Sequence, residues 1–279
     1  MNDWDLKQYL SRSWLNSWIN KSSNRTLAWA LSTLLIPASL TAHPLNEWQN
    51  TEYILKAFKE IALKNEYRPT RQKILRWHQP IKYQFKYHTL PHNEMVETLF
   101  NVQLQHLSNI TSHPILKSSH KPNLTIHLTK DEHYGSVIKR QTNSKVTNIE
   151  QLSHCMGSFF TNQNGEIIAA HIVIPVDHAF SKGLLVSCVI EESTQLMGLP
   201  NDSDWVHPTI ANDKSKIEFL TGLDYVMLKL LYSKNIKAGM TGQALDKALQ
   251  ESIQKLHKRN QINTAQQQVN TEGLFPFVN

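Results

Sequence analysis

Residues 184–202 read LLVSCVIEESTQLMGLPND, and the rest of the chain is interpreted around them. Gly183 precedes the stretch and Gly198 follows its regular part. The spacing predicts a helix from Leu184 to Met197 with Gly198 as a left-handed cap. On such a helix Glu191 and Gln195 lie four apart and share a face, whereas Glu192 falls on a stripe with Cys188, Val189 and Leu196. One carboxylate is thereby drawn toward the core beside a second. Desolvation and like-charge repulsion would raise a pKa there toward the range useful for general acid or base chemistry. The plainer reading is solvated glutamates, or a buried Glu satisfied by a Lys or a backbone amide.

Working outward, Gly165 starts the nearly continuous apolar run IIAAHIVIPV, the pattern of a strand covered on both faces. Before it, Ile81, Tyr83, Phe85 and Tyr87 alternate with Lys82, Gln84, Lys86 and His88, as do Leu124, Ile126 and Leu128 with Thr125 and His127. Both stretches have the strand period. Helices are expected over 47–63 (Trp48, Tyr53, Ile54, Phe58, Ile61) and after Pro91 and Asn93 (Val96, Leu99, Phe100, Leu104, Leu107). Residues 141–150 read as a polar loop or subdomain boundary. Downstream, Thr221 caps a helix with Asp224 in the capping-box position, and a turn with Gly239 and Met240 leads to a last helix opened by Thr241. Past Arg259 the Gln- and Asn-rich chain is expected to fray before LFPFV.

Length and composition bound the possibilities. The chain has 279 residues, 40% hydrophobic and 19% charged, enough to bury a core without staples and unlike a disordered chain. The net charge of +6 is spread thinly, with no dense basic stripe, so nucleic acid is not an expected partner. Residues 1–25 carry Lys7, Arg12, Lys21 and Arg25, and an apolar run from Leu27 to Leu40 follows. That run is short for a membrane span and reads as an export signal with cleavage near Ala42. An uncleaved anchor is the alternative, and only then would the protein contact a membrane. Division into 1–42 signal, 43–150 N-terminal α/β half, 151–259 motif-bearing half and 260–279 tail follows. A periplasmic or secreted location lets the only two cysteines, Cys155 and Cys188, close into a disulfide; two unpaired buried thiols are the alternative.

The string EESTQLMGLPND can be laid over HExxHxxGxxH, the helix, glycine turn and third ligand of the metzincin metalloproteases. In that register Glu191 and Gln195 occupy the histidine positions, Glu192 the general-base position, Gly198 the turn and Asn201 the third-ligand position, with Asp202 beside it. The upstream order of elements looks like a zincin catalytic half, and so does Met240 on a turn beneath the site. Together with TIAND, FLTGLDYVMLKLLY and IKAGMT, the segment resembles the proteobacterial family catalogued as domain of unknown function 2927. That family has no established activity. The resemblance places its motif positions on Cys188, Glu191, Glu192, Gln195, Gly198, Leu199, Asn201, Asp202, Asp224, Tyr232, Gly239 and Met240. Thr209 and Ala211 depart from it, as does the missing lipoprotein cysteine.

The expected fold class is α+β and zincin-like, a small mixed sheet packed with helices that include an active-site-type helix. Neutral amide oxygens at Gln195 and Asn201 are weak zinc ligands, and Glu191 alone cannot hold the ion, so neither metal nor cofactor is expected. Histidines elsewhere, such as His171, His178 or His207, could supply ligands, each more simply a surface or packed residue. Two functions remain. One is an exported zincin-like protein with a degenerate zinc site that binds a peptide or envelope partner in the former cleft. The other is a metal-independent hydrolase or peptidase with Glu192 as general base and Glu191 or Gln195 orienting the water. Lacking a metal to acidify that water, the second loses transition-state stabilisation, so binding is favoured over catalysis.

Overall fold

The structure is a computed structural model that describes residues 47–65, 72–142, 148–212 and 214–277; the expected signal at 1–42 lies outside them. Its centre is a six-stranded sheet made of β1 (Arg76–Trp77), β2 (Ile81–Tyr87), β3 (Ile115–Lys117), β4 (Leu124–Thr129), β5 (Met156–Thr161) and β6 (Glu166–Pro175). Strands β3, β2, β4 and β6 run parallel in that order, β1 adds a short parallel pairing to the start of β6, and β5 pairs with β6 antiparallel. The fold is thus mixed α/β with a mainly parallel sheet. Both expected halves contribute to it, since β4 pairs with β6 from Leu124↔Ala170 to Thr129↔Pro175.

The helices form where apolar spacing and caps coincide. In α1 (Thr51–Leu63) the N-cap Asn50 side chain accepts from Glu52 N, so the helix expected from Glu47 begins after a short 3-10 turn. Asn93 caps α2 (Glu94–Thr111) in the same way. Helix α3 (Asp131–Thr142) had no sequence expectation; it and the short α4 (Ile149–Leu152) overlap only the two ends of the stretch 141–150 read as a polar loop or boundary, whose middle, 143–147, lies outside the described residues. After β6 come α5 (Val176–Ser181) and the motif helix α6 (Leu185–Gln195), then α7 (Gly222–Leu231), α8 (Gly242–Lys258) and α9 (Ala265–Thr271). The tail does not fray at α9, because Ala265, Val269 and Leu274 are buried in the main core.

The two faces of the sheet differ. Tyr83, Leu124, Ile126, Leu128, Ala170, Ile172 and Ile174 join residues of α1, α2, α6, α7 and α8 in one large core. On the other face Val173 and Met156 pack with Tyr134, Val137 and Ile138 of α3 in a small second cluster. Residues directly opposite in a ladder share a face, so the register Lys86↔His127↔Val173 puts the polar side chains of β2 and β4 on this second face. Among the described residues no helix is long and apolar enough to cross a membrane.

Candidate functional site

Helix α6 is fixed at both ends. Near its start Cys188 is disulfide-bonded to Cys155, just ahead of β5, with the Cα atoms 5.9 Å apart. At its end the Leu196 carbonyl accepts from Trp77 Nε1 at 2.8 Å, and the Met197 carbonyl accepts from Tyr232 Oη at 2.9 Å. Gly198 follows with φ of +114° and sits so close to the main chain that a Cβ would lie 2.0 Å from the Leu75 carbonyl oxygen. Only glycine combines that dihedral with that approach. The glycine turn read from the sequence is therefore a packing requirement against the chain entering β1.

The predicted stripe is present: Cys188, Val189, Glu192 and Leu196 are all buried, with Glu192 only 5% exposed. Glu192 lies against β5, and a Cβ on Gly157 would stand 2.7 Å from its Oε2. Its neighbour Glu191 is half-buried, and neither carboxylate is without a partner. One turn on, Gln195 Nε2 donates to Asp202 Oδ1 at 2.9 Å. Glu191 and Gln195 thus lie one turn apart, both half-buried, with Asp202 bonded to the second, while Glu192 faces β5. Near the start of β5, Tyr134 hydrogen-bonds Ser153 at 3.1 Å. Burial raises its phenol well above the ordinary value, and the Glu192 charge adds to that rise.

The remaining motif residues have other tasks. Asn201 turns away and donates from Nδ2 to the carbonyls of Glu60, at 3.1 Å, and Asp202, at 2.7 Å, anchoring the turn to α1. Asp224 completes the capping box of α7. It accepts from Thr221 N and Thr221 Oγ1 and, across the loop, from Thr209 Oγ1 and Ile210 N. Burial pushes its carboxyl up, and those four hydrogen bonds pull it back. The Tyr232 ring carries the Arg76 guanidinium at 4.5 Å, which also donates to the carbonyls of Leu231 and Ile236 at the end of α7. Met240 lies in a turn whose carbonyl accepts from Ile74 N, while Gly239 N donates to Ile74 O. These four residues shape the frame and do not converge on the Glu192 carboxylate.

Two features escaped the sequence reading. Gly157 gave no signal, because its importance is a contact with Glu192 across the fold. The second is a chain of imidazoles on the second face of the sheet: His88 Nε2 lies 2.9 Å from His127 Nδ1, and His127 Nε2 lies 3.0 Å from His171 Nδ1. His88 and His127 continue the polar alternation of β2 and β4, His88 one residue past the end of β2, and His171 stands in the apolar run of β6, which was visible, but strand order and register were not. Among the described residues no cluster of His, Cys, Asp or Glu has the arrangement of a metal site.

Burial is the first cause holding His88, His106, His113, His127 and His171 below the ordinary imidazole value, and His127 goes furthest, to about 3. An unfolded chain binds these protons once the pH falls below about 6.5. Stability is therefore full above that pH and declines in acid toward the folded values. Between pH 7 and pH 4.5, His127 alone contributes a loss of about 3 kcal/mol, or about 6–12 °C in Tm. Thermal scans at the two pH values check this, and equal Tm values would contradict it.

Comparison with known proteins agrees with the motif. A family model described as "Protein of unknown function (DUF2927)" matches residues 51–251, from α1 through the sheet and motif helix into α8. No curated protein and no solved structure matches the chain. With most of its length covered by that model, the chain belongs to the DUF2927 family.

Proposed function

We propose that this is an exported, zincin-like binding protein that takes an extended peptide, or an extended segment of an envelope protein, along β5 beside the Glu191–Glu192–Gln195 helix. The observation that carries the reading is the seating of the Glu192 carboxylate against Gly157, which puts the motif helix directly under an edge strand. Among the described residues β5 pairs with β6 alone, so its outer row of N–H and C=O groups can receive an added strand. The zincin-like layout is supported by a mainly parallel sheet bordered by one antiparallel strand, followed by the motif helix and the Gly198 turn. Export is supported by the Cys155–Cys188 disulfide, a bond that persists in oxidising compartments.

Binding is favoured over hydrolysis because a general base must reach water, whereas Glu192 is buried and closed in by Gly157. The test is a nonapeptide library screened against the full chain by fluorescence polarisation, with mass spectrometry of the peptides afterwards. Saturable binding without cleavage is expected, weakened at least tenfold when alternate peptide amides are N-methylated. No binding to any member would contradict the reading. Cleavage abolished in Glu192→Gln would replace it with a hydrolase.

A further inference from the structure

Three imidazoles in line, His88 just past the end of β2, His127 on β4 and His171 on β6, have a proton capacity set by their bonding. Each link, His88 Nε2 to His127 Nδ1 and His127 Nε2 to His171 Nδ1, holds one hydrogen between two ring nitrogens. Only the outer nitrogens, His88 Nδ1 and His171 Nε2, then remain. A neutral set of three imidazoles has three ring hydrogens, two in the links and one at an end. A fourth hydrogen fills the other end and gives a net charge of +1 with both links kept. A fifth must land on a nitrogen that is already accepting, and one link breaks.

We propose that His88, His127 and His171 titrate as a single unit that accepts one proton with the sheet intact and parts on the second, an acid-sensitive latch on the second face of the sheet. The rings are arranged for it: successive centroids are 5.2 Å apart, with 29° between the planes of His88 and His127 and 34° between those of His127 and His171. His127 is 1% exposed, so protons arrive at the half-buried ends. The charges acting on the unit are positive, Lys86 from β2 and Arg140 from α3, and oppose a second proton. From β4 and β2, Thr125 and Gln84 face it uncharged. From β5, Ser158 stands opposite His171 and the Phe160 ring meets it edge-on at 6.0 Å. The same causes hold all three imidazoles below their ordinary value, as coupled groups with shared proton steps should be. The latch ends beside β5, so its opening loosens the strand against which Glu192 rests.

The test is an acid titration of the full chain labelled with 15N-histidine, followed by long-range proton–nitrogen NMR of the ring nitrogens. The three histidines are expected to shift together in one step that takes up one proton, with the native spectrum lost on further acidification. Three separate transitions, or uptake of two or more protons by these residues with the native spectrum retained, would overturn the proposal. So would persistence of the native fold to pH 3 with none of the three protonated. In His127→Gln, which removes the central ring, His88 and His171 should titrate independently; a step still shared in that folded variant would also overturn it. If the variant does not fold, the titration of the unaltered chain decides alone.

Discussion

Gly198→Ala destabilises the protein by about 4 kcal/mol. A side chain at φ of +114° costs about 1–3 kcal/mol, and relieving a 2.0 Å overlap with the Leu75 carbonyl adds a packing cost of comparable size. The overlap is with backbone, so no side chain can rotate away. Displacing residue 75 also disturbs Ile74, which pairs with the Gly239–Met240 turn, and Arg76, which caps the end of α7. Denaturant unfolding of the variant beside the unaltered chain measures the loss. A change under about 1 kcal/mol would mean that the glycine turn does not hold α6 against β1.

Reduction of Cys155–Cys188 has an effect of similar size. The bond closes a loop between residues 33 apart, for which loop-closure entropy gives about 4 kcal/mol, or about 8–16 °C in Tm for a chain of this length. That loop contains β5, the antiparallel turn and the whole of β6. Reduction therefore frees the element on which the proposed site depends. Melting with and without a thiol reductant, and of the Cys155→Ser/Cys188→Ser double variant, should show the same drop. Unchanged melting in both would contradict a stabilising bridge.

Much of the frame was legible because local chemistry and tertiary structure agree there. The alternation from Ile81 to Tyr87 became β2, with His88 just past its end, the Asn93 and Thr221 caps start α2 and α7, and the Thr221–Asp224 capping box forms as read. Short strands were not legible: β1 has two residues and β3 three, too few to show a period. Helix α3 was missed because its polar composition is interrupted by Gly135, and its buried side has just three apolar residues, Tyr134, Val137 and Ile138, with the polar Thr142. The α9 tail was missed because contacts with the main core, not propensity, order it.

At the site the sequence showed which residue types share α6 but not what faces them. The buried stripe through Glu192 followed from spacing alone. Its seat against Gly157 depends on the antiparallel return of β5, a pairing with no local signature. Asn201 takes the third-ligand position of the metzincin register, where its amide was already a weak ligand, and that amide donates to backbone carbonyls of α1 and of its own turn.

Whether the helix with Glu191, Glu192 and Gln195 is a zincin-like frame used for binding without a metal is decided by elemental mass spectrometry of the full chain purified without chelators. Zinc well below one equivalent per chain, with peptide binding retained, is the predicted result. Near-stoichiometric zinc would contradict it, because the ion would then be held by side chains arranged differently from those described and the helix would belong to a working metallopeptidase.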